Sequence, residues 1–68
     1  MRYAVVIEKS ETGFGAYVPD LPGCVAVAET LAETEHLIRE AVEFHVDGLR
    51  DDGINVPEPS AVAQYVEI

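Results

Sequence analysis

The residues able to do chemistry here are few: His36, His45, Cys24, Asp20 and the pair Asp51-Asp52. His45 falls among apolar residues at helical spacing. It is a core or interface histidine in one reading and a ligand or general base in the other, and no serine, cysteine or second histidine stands where it would single out a partner for the second role. His36 falls on the polar side of the same run. Cys24 cannot form an internal disulfide, and with two distant histidines it makes no recognisable metal set. It reads most simply as a small apolar residue, the alternative being a catalytic thiol. Asp20, flanked by Pro19 and by Leu21-Pro22, is either a catalytic carboxylate or a turn-shaping acceptor of nearby backbone amides. Asp51-Asp52 offers half a metal site or a solvated helix end. Gly13 and Gly15 lack the third glycine and the strand-before-helix context of a phosphate loop. These groups form no catalytic set, so the chain reads as a binding module rather than an enzyme, with no cofactor and no metal expected.

Composition narrows the partner. Four basic residues face thirteen acidic ones in a chain of 68, for a net charge of −9. Phosphate backbones are gripped by clustered Lys and Arg, so direct binding of DNA or RNA is not expected. The acidity suits a basic partner or a well-solvated surface, and 49% hydrophobic residues with clear periodicity argue against disorder. No stretch approaches the roughly 20 apolar residues of a membrane span, and Met1-Arg2-Tyr3 opens no signal-peptide core, so a cytoplasmic protein is expected. A chain this short buries only about 60% of its unfolded surface, so oligomerisation or a bound partner is expected to supplement its core.

The elements that must position these residues are organised around Ala16 to Cys24. Tyr17-Val18 end one extended run and Val25-Ala26-Val27 begin another. Between them Pro19 and Pro22 fix φ and donate no hydrogen bond, while Gly23 tolerates positive φ, so the chain reverses here. Leu21, at the tip, either folds back onto a core or meets a partner. Before this turn, Arg2 to Glu8 read as a strand apolar on both faces, hence an interior strand covered on one side and contacting a second subunit on the other. Lys9 to Gly13 make a turn, and Phe14 to Val18 return antiparallel, with Gly15 marking a bulge or a close backbone approach. Cys24 to Ala28 form a third strand.

Thr30-Leu31-Ala32-Glu33 has the pattern of a capping box opening a helix that runs to about Arg50. Its apolar stripe is Leu31, Thr34, Ile38, Ala41, Val42, His45 and Leu49. Leu37 and Phe44 form a shoulder able to meet another surface, and Val46 lies outside the stripe. Gly53 supplies the left-handed residue that stops the helix. Ile54 to Pro59 must be extended, and Ala63 to Ile68 read as a fourth strand. The expected fold is α+β, in the order β-β-β-α-β: one small antiparallel sheet with one long helix across it, a single domain over residues 1–68.

Three linked segments resemble one family. Tyr17-Val18-Pro19-Asp20-Leu21-Pro22-Gly23-Cys24 precedes the helix opened by Thr30-Leu31, and Gly48-Leu49-Arg50-Asp51-Asp52-Gly53 leads into Val56-Pro57-Glu58-Pro59. This is similar to the N-terminal domain of HicB-type antitoxins over essentially the whole chain. The resemblance implies a partial RNase H-like fold that binds and masks a small basic HicA-type mRNA-cleaving toxin, and assembly as a homo-oligomer, a dimer or higher. It implies no direct nucleic-acid contact by these residues, because the family's second, DNA-binding domain has no counterpart before Ile68. The residues expected to meet the partner are Tyr17, Pro19, Asp20, Leu21 and Pro22. An orphan oligomeric module of the same fold, without a toxin, is the alternative.

Overall fold

A computed structural model describes residues 1–68. Three strands, β1 (Val6–Lys9), β2 (Phe14–Tyr17) and β3 (Val25–Ala28), precede one helix, α1 (Leu31–Asp51). The strands form an antiparallel sheet in the order β1-β2-β3. The α+β class and the sequence strand-strand-strand-helix are as expected.

Registry fixes the two faces. Ile7, Ala16 and Ala26 stand opposite one another in one row, and Val6, Tyr17 and Val25 in the next. Side chains alternate along a strand, so the first row faces one way and the second the other. Ala16 is buried, and α1 packs on β3 and β2, so the Ile7-Ala16-Ala26 side is the inner one. The core is small: Ala16, Val18, Leu21, Cys24, Ile38 and Val46, with Thr34 as the one buried polar residue. Thr34 is satisfied, its hydroxyl donating to the Thr30 carbonyl at 2.8 Å.

β1 begins at Val6, four residues later than the sequence run predicts, and it is an edge strand rather than an interior one. The reason lies opposite it. Tyr17 pairs with Val6, but the next residue, Val18, turns its amide to Cys24, and Pro19 has no amide to offer. Arg2 to Val5 therefore have no ladder to join. Gly15 makes no bulge, since its pairing with Glu8 and Val27 is continuous, and its missing side chain faces open space. The close approach is at Gly13, where a Cβ would run into the Ala28 carbonyl oxygen.

The helix follows its caps. The Thr30 hydroxyl accepts from the Glu33 amide at 3.1 Å and donates to the Glu33 carboxylate at 2.9 Å. At the far end Gly53 adopts φ +70, and the amides of Gly53 and Ile54 reach back to the carbonyls of Arg50 and Leu49, a Schellman stop. Two stripe assignments change. Leu31 is exposed, because the first side chain of a helix leans back past its start. Val46 is buried as a member of the core cluster, with Tyr3 beside it and Val56 among the residues packed against that cluster.

The fourth strand is not formed. Residues 54–68 carry no regular structure, and Tyr65, Val66 and Ile68 are all exposed. What orders the stretch after the helix is a pair of anchors. The Tyr3 hydroxyl donates to the Pro57 carbonyl at 2.6 Å. Asp20 then accepts from the Ser60 amide at 3.0 Å, the Ser60 hydroxyl at 2.8 Å and the Ala61 amide at 3.0 Å. The backbone amide of Ala61, then that of Ser60 and its hydroxyl, stabilise the anion and hold the carboxyl below its ordinary value of 3.8.

Two outcomes follow. Gly13→Ala should destabilise the chain by roughly 1–3 kcal/mol in denaturant unfolding, because the neighbour it meets is backbone that must move. Gly15→Ala should stay within about 0.5 kcal/mol. For Asp20 the depressed folded value means that the clamp's stabilisation is fully present above 3.8 and is lost as pH falls through the folded value. The amide resonances of Ser60 and Ala61 should therefore titrate with a midpoint below 3.8, and Asp20→Asn should abolish that titration.

Candidate protein-binding face

The Pro-rich turn is held from both ends. The Val18 amide donates to the Cys24 carbonyl at 3.2 Å, the Leu21 amide to Val18 at 3.1 Å and the Cys24 amide to Leu21 at 3.0 Å, with Gly23 at φ +86 completing the reversal. The five residues expected to meet a partner separate into two groups. Tyr17, Pro19 and Pro22 are exposed. Leu21 is 0% exposed, so its side chain belongs to the chain's own core, the first of the two alternatives left open for a turn-tip leucine. Asp20 is half-buried, and its acceptors are engaged by Ser60 and Ala61, forty residues on, rather than by amides within its own turn.

Beside the exposed group lies the outer sheet face. Tyr17 stands between Val6 and Val25, and Gly15 between Glu8 and Val27. No element covers this side, leaving Val25 at 61% and Val27 at 77% exposure. Apolar side chains in adjacent cross-strand positions make one continuous patch rather than scattered surface residues. At its hairpin end stand Glu8, Glu11 and Glu29, with Lys9 the one base among them. Val25 and Val27 were not among the residues picked from sequence. Their signal was the alternation Val-Ala-Val-Ala, in which the alanines line the crowded inner face and the valines the open one.

The remaining chemical candidates do not converge. Cys24 is buried, and burial pushes its thiol up from the ordinary 9.0, away from a reactive thiolate. His45 is half-buried, and His36 pairs on the surface with Glu40 at 3.3 Å, one helical turn away. Asp51 is the last helical residue and Asp52 the cap, both exposed. No three His, Cys, Asp or Glu side chains gather to hold a metal ion. No helix is long and apolar enough to cross a membrane. What the arrangement offers chemically is a rigid, apolar, acid-edged surface.

Known proteins resemble this chain in sequence, and one solved structure resembles it in fold. A protein of the rep-hol intergenic region of Haemophilus phage HP1 is 36% identical over 97% of this chain, and the chain spans 50% of that relative's length. A UPF0150 protein of Helicobacter pylori is 43% identical, the match covering 76% of this chain and 72% of the relative. Among solved structures, a chain of the HicA3 and HicB3 toxin-antitoxin complex superposes with a TM-score of 0.73 at 32% identity, covering 87% of this chain and 70% of that one. The family described as HicB-like antitoxin of bacterial toxin-antitoxin systems matches residues 3–68. With nearly every residue inside that match, the chain belongs to the HicB-like antitoxin family.

Proposed function

We propose that this chain is the antitoxin of a type II toxin-antitoxin pair and that it acts by occupying the RNA-binding surface of a small basic HicA-type mRNA-cleaving toxin. The observation that carries this reading is the open sheet face, where Tyr17, Val25 and Val27 lie exposed beside a turn whose shape is already fixed. A surface ordered before binding loses little entropy on association. Tyrosine at the centre of an apolar patch is the kind of residue that carries affinity, while the acids at the hairpin end raise association rate and selectivity for a basic partner. Asp20 and Leu21 contribute from beneath by holding the turn, leaving Tyr17, Pro19 and Pro22 as the contacts within it. The mechanism is steric, so the antitoxin needs no catalytic group, and it works in the cytoplasm, where the mRNA is.

The test is co-expression. A short basic reading frame beside this gene, expressed alone, should arrest growth and degrade mRNA, and adding this chain should restore both. Tyr17→Asp should weaken the complex at least about tenfold, because it places an unpaired charge in an apolar contact, whereas Glu35→Ala on the helix should change it little. If the neighbouring frame is not toxic, or toxicity persists with this chain soluble and folded, the reading fails and the orphan module takes its place.

A further inference from the structure

The free edge of β3 and the Leu37-Phe44 shoulder of α1 lie uncovered on the same side of the molecule. In an antiparallel ladder, successive residue pairs alternate between bonded and non-bonded, so one hydrogen bond sets the phase of the rest. The Val18 amide donates to the Cys24 carbonyl. In that register Ala16-Ala26 and Phe14-Ala28 are the bonded pairs, while Tyr17-Val25 and Gly15-Val27 are not. The Ser10 amide donates to the Gly13 carbonyl, and the same rule bonds Gly15 and Tyr17 to β1 instead. The amides and carbonyls of Val25 and Val27 therefore point away from the sheet, and no turn or loop of the chain bonds them. An unpaired edge of this kind is a template for one more strand.

Helical phase puts the shoulder beside that edge. α1 packs on β3 and β2, and its flank toward β1 is marked by Glu35, Arg39 and Val42, which line a hollow shared with Val5 and Ile7. At about 100° per residue, Leu37 and Phe44 fall on the opposite flank, the one next to β3. Both are exposed, Phe44 at 83%. A strand laid along β3 would send alternate side chains to the two sides of the sheet, one set beside Val25 and Val27 and the other onto Leu37 and Phe44. The edge thus offers backbone groups flanked by apolar surface on both sides.

Charge selects what fills it. All four Lys and Arg residues lie away from this edge: Lys9 ends β1, Arg2 and Arg39 line the hollow between β1 and α1, and Arg50 lines the one adjoining it. Glu29 follows β3 directly, and Glu33, Glu40 and Asp51 share the shoulder's flank of α1 by the same helical phase. A second copy at this edge would set these carboxylates against its own, whereas a basic segment is drawn to them.

We propose that the basic protein partner adds an extended segment as a strand along the free edge of β3, hydrogen-bonded to Val25 and Val27 and seated on Leu37 and Phe44. The segment carries apolar residues at alternate positions, and its Lys or Arg side chains meet Glu29, Glu33 and Glu40. This deepens the reading of the chain as the binder of a basic toxin and rests on it. Contact then continues from the outer sheet face, around the β3 edge, to one flank of the helix. The β1 edge takes no part.

The experiment is amide hydrogen exchange on the full chain, alone and in the complex purified after co-expression with the short basic reading frame beside its gene. Alone, the Val25 and Val27 amides should exchange as unpaired ones do. In the complex both should slow at least about tenfold, while Ile7 and Lys9, whose amides point out from the β1 edge, keep their rates. Phe44→Ser should weaken the complex at least about tenfold with helical circular dichroism unchanged, because the ring is exposed in the single chain. A complex that Tyr17→Asp breaks, but in which Val25 and Val27 gain no protection or Phe44→Ser has no effect, would overturn this inference and leave the outer-face reading standing. Absence of any complex would overturn both. Protection of Val25 and Val27 in the chain alone, rising with its concentration, would put a second copy at the edge and overturn the proposal.

Discussion

The structure depends on one turn that is held on two sides at once. From Pro19 to Gly23 the chain reverses between β2 and β3, driving Leu21 inward and presenting Asp20 to the segment beyond the helix. Burying a leucine completely stabilises a fold by about 1.5–3 kcal/mol, a large fraction of what so small a core can supply. Only 7 of 68 residues are buried, and Leu21 and Thr34 are the two that are sealed from solvent entirely, so removing either side of the turn's attachment leaves little to compensate. The prolines make the arrangement economical by restricting the unfolded chain as well as the folded one.

The same turn separates support from contact. Leu21 and Asp20 spend their side chains within the protein, and that leaves the adjoining Tyr17, Pro19 and Pro22 displayed on a backbone held by the turn's own hydrogen bonds. Beside them the outer sheet face is apolar because the helix covers only the inner one. The fold thus has an uncovered surface by construction: three strands and one helix make two layers, and a sheet has two faces. The family match runs over residues 3–68 and so takes in all four elements of this layout.

Local signals were legible in the sequence and distant ones were not. The Thr30 cap, the Gly53 stop, the positive φ at Gly23 and the helix between them follow from single residues whose backbone preferences are strong. The strand ends were less legible, since pairing is a property of two segments, and Pro19 withholds the partner that Arg2 to Val5 would need. Ala63 to Ile68 have the pattern of a strand, but pattern alone does not say which edge, or whose, they join. The destination of Leu21 and the partner of Asp20 were likewise invisible, because a turn's sequence defines its shape but not what lies above and below it. Val46 shows the same limit: helical periodicity puts it off the stripe, while residues distant in sequence, Tyr3 and Val56 among them, pack against the core to which it belongs.

Hydrogen exchange at Ser60 and Ala61 tests the role of the turn most directly. Both amides lie in a stretch without helix or strand, and the hydrogen-bond acceptor each has is the Asp20 carboxylate. The account predicts that they exchange markedly more slowly than the amides of Gln64 and Tyr65 at neutral pH, and that Asp20→Asn brings them to the rate of those neighbours. Exchange of Ser60 and Ala61 as fast as the rest of the segment in the unaltered protein would contradict it.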